Sequence, residues 1–315
     1  MIITITMNPS IDFTYFIDNF KTEKLNRTKS PTRSIGGKGI NAGRAAALSG
    51  AEVILTGFLG GKLGHLTRKY LEEEGLFQIE MSEIVGETRT AVTIMHDNDL
   101  HTEIVEEGPV VEDREIFNLL AKVEQIVATN NISSILICGS VNSDNEYIFA
   151  YMVDYIYSVS SETPILVDIS GMQLKNLLTT KRRKPTFIKP NEHELGHFLN
   201  TKIRSKEDAY KALQHEGFAN IHYVIASLGA NGAICKVGER FYQVSIPKIQ
   251  IQSVTGSGDA TVGGFAYALE RKYDEVKAIR YAMACGMSNA QHKEAGMINK
   301  EDAARFMEQV VVTEI

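Results

Sequence analysis

The chain has 315 residues, 43% hydrophobic and 23% charged, with a formal net charge of −6. That composition excludes a disordered chain. The sign argues against a protein that coats nucleic acid, yet allows a small anionic ligand held by a few local cations.

In chain order, Met1–Met7 lacks the basic start of a signal peptide and reads as a buried first strand. Tyr15–Asp18 is a short strand-like piece. A helix is expected near 39–49, then a buried strand over Glu52–Phe58 and a helix near 62–74. Thr90–Met95 and His101–Val105 flank the turn-like Asp97-Asn98-Asp99 and predict a hairpin. Helices near 112–129 and 144–158 alternate with buried strands over Ser133–Cys138, Pro164–Asp168 and Tyr223–Ala226. Lys248–Ile251 reads as a further strand, followed by a glycine turn and a helix opening at Gly264.

Continuous apolar strands between amphipathic helices predict a three-layer α/β/α sandwich with a mostly parallel central sheet. Segments near 12–34 and 86–108 break that rhythm. They predict a small β-sheet projecting from the main one, as a flap over a site or as an oligomer contact. There is no linker, low-complexity tract or internal repeat, so 1–315 reads as a single domain. No run approaches about eighteen apolar residues, so no membrane span is expected. Cys138, Cys235 and Cys285 form no C-x-x-C pair, which predicts buried thiols in a reducing, cytoplasmic setting.

Two glycine clusters carry the chemistry. Gly36-Gly37-Lys38-Gly39-Ile40-Asn41 precedes a helix, so backbone can approach a ligand closely and free N–H groups favour an anion; a plain tight turn is the other reading. Thr255-Gly256-Ser257-Gly258-Asp259 repeats the arrangement but is neither a Walker A loop nor a dinucleotide fingerprint. An aspartate beside bound phosphates is repelled by them. It belongs there as a general base, accepting a hydroxyl proton while amides stabilise a transferring phosphoryl group. A helix-capping aspartate is the alternative.

His193-Glu194-Leu195-Gly196-His197 spells the H-E-x-x-H zinc-protease motif. Pro190-Asn191 just before it points elsewhere. Asn191 is a natural helix cap and Glu194 falls at the third helical position, as in a capping box, with both histidines facing solvent.

Taken together, these segments resemble the PfkB, or ribokinase-like, family of carbohydrate kinases. Asn8-Pro9-Ser10-Ile11-Asp12 is similar to the family's sugar-binding start, and the two glycine clusters are similar to its two signatures. Lys189-Pro190-Asn191-Glu192-His193-Glu194 resembles its K-P-N-x-x-E segment, and Ser227-Leu228-Gly229-Ala230-Asn231-Gly232 its nucleotide turn. Within the family the likeness runs to the tagatose-6-phosphate kinases and 1-phosphofructokinases. Residues 86–89, 102–109 and 286–291 favour the former. One departure stands at the substrate edge: where relatives carry S-G-S-L-P-x-G, this chain has Asn142 in place of the proline and Asp144 in place of the second glycine.

The resemblance implies phosphoryl transfer from ATP, with Mg2+, to a hydroxyl of a phosphorylated ketohexose. Tagatose-6-phosphate is the first candidate and fructose-1-phosphate the alternative; a non-catalytic sugar- or nucleotide-binding regulator is the reading from another class. Asp259 is the implied base, with the amides of Gly256, Ser257 and Gly258 as anion hole. Asp12, Asn41, Gly36, Gly37 and Ser140 are implied on the sugar, and Lys38, Arg27 and Arg89 are the candidates for its anionic group. Lys189, Asn191, Glu194, Ser227, Gly229, Gly232 and Asn289 are implied for ATP, with Glu194 in an outer-sphere magnesium role. The expected partners are the phosphosugar and ATP, with no nucleic acid or membrane, and a homodimer through the lid.

Overall fold

The computed structural model describes residues 1–97 and 100–315. The first half runs β1 (Ile2–Thr6), β2 (Ser10–Ile17), β3 (Thr32–Gly36), α1 (Lys38–Ser49), β4 (Val53–Leu59), α2 (Gly61–Glu74), β5 (Gln78–Ile79), β6 (Ser82–Glu83), β7 (Arg89–His96), β8 (Leu100–Val105), α3 (Asp113–Thr129) and β9 (Ser134–Cys138). The second runs α4 (Ile148–Val159), β10 (Ile165–Asp168), α5 (Gly171–Thr179), β11 (Phe187–Ile188), α6 (Glu192–Leu199), α7 (Lys206–Leu213), β12 (Tyr223–Ser227), β13 (Ala233–Val237), β14 (Arg240–Ser245), α8 (Ser257–Glu270), α9 (Glu275–Ala290), α10 (Lys300–Gln309) and β15 (Val311–Glu314).

The main sheet has the order β15-β14-β13-β12-β11-β10-β9-β1-β4-β5, with β6 also on β4. Its centre, β12 through β5, is parallel; β13, β14 and β15 extend it antiparallel. The two-residue period of a strand sends alternate side chains to opposite faces. Ile3, Ile5, Ile135 and Ile137 join a core with α3 to α7, whereas Ile2, Leu136 and Cys138 join a core with α1, α8, α9 and α10. Both faces are therefore covered, giving the expected three-layer sandwich. Among the described residues no helix is long and apolar enough to cross a membrane.

A second, four-stranded sheet has the order β3-β2-β7-β8. The expected hairpin is β7 with β8; of its turn, Asn98 and Asp99 lie outside the described residues. The strand expected at 15–18 begins earlier, at Ser10, which brings Asp12 into the small sheet.

Three expectations are corrected. Residues 248–251 form no strand, because the free edge of β14 is taken by the C-terminal β15. The fourth helix starts at Ile148 rather than 144, since Ser143 Oγ and Asn145 Oδ1 accept backbone N–H groups and hold the preceding residues in turns. The last glycine-rich helix opens at Ser257, not at Gly264. Gly263 and Gly264 resemble turn residues in sequence, but in the fold they are crossing points. A Cβ on Gly263 would lie 2.0 Å from the Ala42 carbonyl oxygen of α1, and one on Gly264 would lie 2.6 Å from Cys285 Sγ of α9. Gly263→Val should therefore lower Tm, by a cost of about 1–3 kcal/mol or more. A thermal melt checks it, and an unchanged Tm would contradict so close a crossing.

Candidate active site

The parallel strands end along one edge of the main sheet, where ligands bind in open α/β folds. Cys138 ends β9, Asp168 ends β10, Lys189 follows β11 and Ser227 ends β12. The N-termini of α1 and α8 open onto the same edge, and Asn41 Nδ2 of α1 donates to Asp259 Oδ2 of α8 at 2.8 Å.

Asp259 is buried in the first turn of α8. Burial pushes its carboxyl up, and Asp168 pushes it further. Lys38, the Asn41 hydrogen bond and Lys189 pull it back, leaving it at about 6. A carboxyl in that range is mostly ionised near pH 7 yet basic enough to take a proton. Gly256 caps α8 with φ 79°, a conformation that suits glycine. A Cβ there would lie 2.7 Å from Ala295 Cα, and one on Gly258 would lie 2.9 Å from Lys189 Nζ. The ammonium of Lys189 thus sits against a helix end, where N–H groups favour an anion; of the three amides implied there, that of Ser257 is not free, since it donates to the Val254 carbonyl at 3.2 Å.

Lys38 Nζ lies 3.4 Å from Asp168 Oδ1 and 3.9 Å from Glu194 Oε1. Burial pulls its ammonium down, but Asp168, Asp259 and Glu194 outweigh burial and hold it above the usual lysine range. Asp168 is 2% exposed, and its Oδ2 has no hydrogen-bond partner among the described residues. A buried carboxylate oxygen left without a partner fits a hydrated divalent cation that arrives with phosphates, and Glu194 shares Lys38 with it. Asp168 is not among the residues singled out from the sequence. A carboxylate closing the otherwise apolar strand Ile165-Leu166-Val167 was the available signal.

Asn191 and Glu194 form the expected capping box. Asn191 Oδ1 accepts from the N–H groups of His193 and Glu194, and Glu194 Oε2 accepts from Asn191 N–H, each at 2.9 Å. His193 is 90% exposed and His197 is exposed as well. Ser227 N–H donates to the Pro190 carbonyl, so the α6 start and the 229–232 turn lie side by side. Gly229 (φ 54°) and Gly232 (φ 84°) shape that turn, and a Cβ on Gly232 would lie 2.2 Å from the Val244 carbonyl oxygen. Asn289 is fully buried. Its Nδ2 donates to the Thr255 carbonyl at 2.8 Å and to Ser257 Oγ at 3.2 Å, and its Oδ1 accepts from Gly296 N–H at 2.7 Å. It braces the glycine loop from behind.

On the small sheet, Asp12 Oδ1 accepts from Ser10 Oγ at 2.6 Å. Its carboxyl packs on Gly36, where a Cβ would lie 2.1 Å from Oδ2, so any other residue there would push the carboxyl aside. Burial raises the Asp12 carboxyl, opposed by Ser10 and by the charges of Arg89 and Arg44. Arg89 opens β7 in register with Ser10 of β2. Its Nη1 donates to the Glu106 carbonyl at 3.1 Å, while its buried Nε has no partner among the described residues. Gly37 caps α1 at φ 122°. Ser140 is exposed in the loop after β9, and Arg27 is exposed on the loop between β2 and β3, making no ion pair among the described residues. Asn142, the substitute for proline, donates from Nδ2 to the Gly108 carbonyl at 3.0 Å. Asn8 likewise donates to the Glu107 carbonyl at 2.7 Å. Both tie the end of the small sheet to the main one.

Residues 1–302 match the model of the pfkB family of carbohydrate kinases. Among solved structures, a provisionally assigned phosphofructokinase from Staphylococcus aureus is 28% identical, with TM-score 0.80 and 100% of this chain and 99% of that one covered. Phosphofructokinase-2 from Escherichia coli, in complex with potassium, is 23% identical, with TM-score 0.87 and 98% of each chain covered. A provisionally assigned 1-phosphofructokinase from Thermotoga maritima is 24% identical, with TM-score 0.87 and 100% and 99% covered. The buried aspartate at a glycine-rich helix end, the fold around it and the match over nearly the whole length agree: the chain belongs to the pfkB family of carbohydrate kinases and is an ATP-dependent sugar kinase.

Proposed function

We propose that the acceptor is a phosphorylated ketohexose, with tagatose-6-phosphate giving tagatose-1,6-bisphosphate. The observation that carries this reading is Arg89. A half-buried guanidinium beside Asp12, with its Nε left without an acceptor, is costly unless an anion completes it. The phosphate of the acceptor supplies that anion, and Asp12 and Asn41 take its hydroxyls, with Gly36, Gly37 and Ser140 alongside. Residues 86–89, 102–109 and 286–291, through their likeness to tagatose-6-phosphate kinases, support the choice of sugar.

In this reading Asp259 takes the proton of the attacking hydroxyl. The amides of Gly256 and Gly258 stabilise charge on the transferring phosphoryl group, with Lys189 and Lys38 beside them. Asn191, Glu194, Ser227, Gly229 and Gly232 line the nucleotide side. Asn289, buried behind the loop, acts by holding it. Asp168, with Glu194 in an outer role, would hold magnesium arriving with ATP, which would supply counter-charge to the phosphates. Segments 12–34 and 86–108 close as a lid on a single domain of 1–315 and exclude water from the reaction. The exposed Phe16, Leu25, Leu100, Ile104 and Val105 of this region are the apolar surface through which two copies pair.

Arg89→Ala tests the acceptor. KM for the phosphosugar should rise by about 10-fold or more, since a charge-assisted pair contributes roughly 1.5–3 kcal/mol, while KM for ATP stays within about twofold. Equal effects on both substrates would count against a phosphate at Arg89.

A further inference from the structure

Arg44 was invisible as a functional residue in the sequence, where it reads as one polar position of a helix. In the fold it is 5% exposed, and each of its five N–H groups has an acceptor. Nε and Nη2 grip Glu74 of α2 at 3.0 and 2.9 Å, a bidentate pair. Nη2 also donates to the Ile35 carbonyl at 3.3 Å, and Nη1 to the Ala295 carbonyl at 2.9 Å. The remaining bond runs from Nη1 to Asn41 Oδ1 at 3.2 Å.

That last bond has a directional consequence. A guanidinium can only donate, so it fixes which end of the Asn41 amide faces it. The carbonyl end turns to Arg44, and the NH2 end is thereby aimed at Asp259 Oδ2, 2.8 Å away. Reversing the amide would set its NH2 against Arg44 and its oxygen against a carboxylate, which loses both bonds.

We propose that Arg44, braced by Glu74, is a positioning residue for phosphoryl transfer: through Asn41 it fixes the orientation of the Asp259 carboxylate. The proposal rests on Asp259 being the base of the kinase reaction. It extends the site to α2, through a residue that touches neither substrate.

The test is a double-mutant cycle of Arg44→Met with Asn41→Ala, read as kcat on whichever acceptor the wild-type enzyme phosphorylates. A wrong sugar therefore leaves this test standing, and near-normal turnover by Asp259→Asn marks failure of the base assignment separately. Arg44→Met should lower kcat by about 10²-fold, the scale of a small misplacement of a reacting group, with KM for ATP within about twofold. On the Asn41→Ala background the same change should cost less than about threefold more, because the two residues act through one contact. If the two losses instead multiply, or if folded Arg44→Met keeps kcat within about threefold of wild type, the proposal is overturned. Should Arg44→Met give no cooperative melt, Glu74→Gln replaces it. That variant should lower kcat by about fivefold, and again only when Asn41 is present. An unchanged kcat, or an equal loss with Asn41→Ala in place, overturns the proposal.

Discussion

Asp259→Asn should lower kcat by about 10²–10⁴-fold, the range a positioned general base contributes, while ATP still binds with affinity within about threefold. The carboxylate and the amide have nearly the same shape, so Asn41 and the glycine loop keep their places. What is lost is the group that takes the hydroxyl proton. The same substitution should raise Tm at pH 7. Burial and Asp168 lift the folded carboxyl to about 6, above its ordinary value of 3.8. Between those two values the folded chain holds a proton that the unfolded chain has released. Stability from this group is therefore present below the lower value and lost as pH rises through about 6. An uncharged side chain removes that loss, so the gain in Tm should be absent at acid pH and full near neutrality. Calorimetry at the two pH values checks it. Unchanged turnover would remove Asp259 from the reaction.

Lys38→Met has the second large effect expected. The ammonium lies against Asp168 and Glu194 and feels the charge of Asp259. Without it the carboxylates face one another and the incoming phosphates with one counter-charge fewer. kcat/KM should fall by about 10²–10³-fold, as for loss of one donor to a developing charge. Lys38 also lowers the Asp259 carboxyl, so the acid limb of the kcat/KM profile should move to higher pH. A pH profile of the variant separates this from a simple loss of substrate binding. A limb that stays in place would show that Lys38 acts on the substrate alone.

The layers of the fold could be read in the sequence because buried parallel strands are largely apolar, as in Ile135-Leu136-Ile137 and Ile165-Leu166-Val167. The antiparallel extension could not. Val311–Glu314 is short and mostly exposed, so its pairing with β14 depends on long-range placement rather than on local pattern. The glycine clusters were legible because anion-binding turns need glycine wherever they occur. Gly263 and Gly264 misled for the same reason, since a helix crossing and a turn ask for the same residue. Asp168 and Arg44 do not stand out in the sequence because the contacts that distinguish them come from residues far along the chain: Lys38 for the first, Glu74 and Ala295 for the second. Net charge gave no guide to the ligand. The site gathers its positive charge locally, from Lys38, Lys189, Arg89 and the helix ends, within a chain that is acidic as a whole.

The proposed reaction uses Asp259 for phosphoryl transfer from ATP to a phosphorylated ketohexose. The most direct measurement is kcat/KM of the wild-type enzyme, with ATP, on tagatose-6-phosphate, fructose-1-phosphate, fructose-6-phosphate and ribose. The highest value is expected with tagatose-6-phosphate and the lowest with ribose, which has no phosphate for Arg89. A preference for ribose, or no ATP consumption with any of the three phosphosugars, would contradict it.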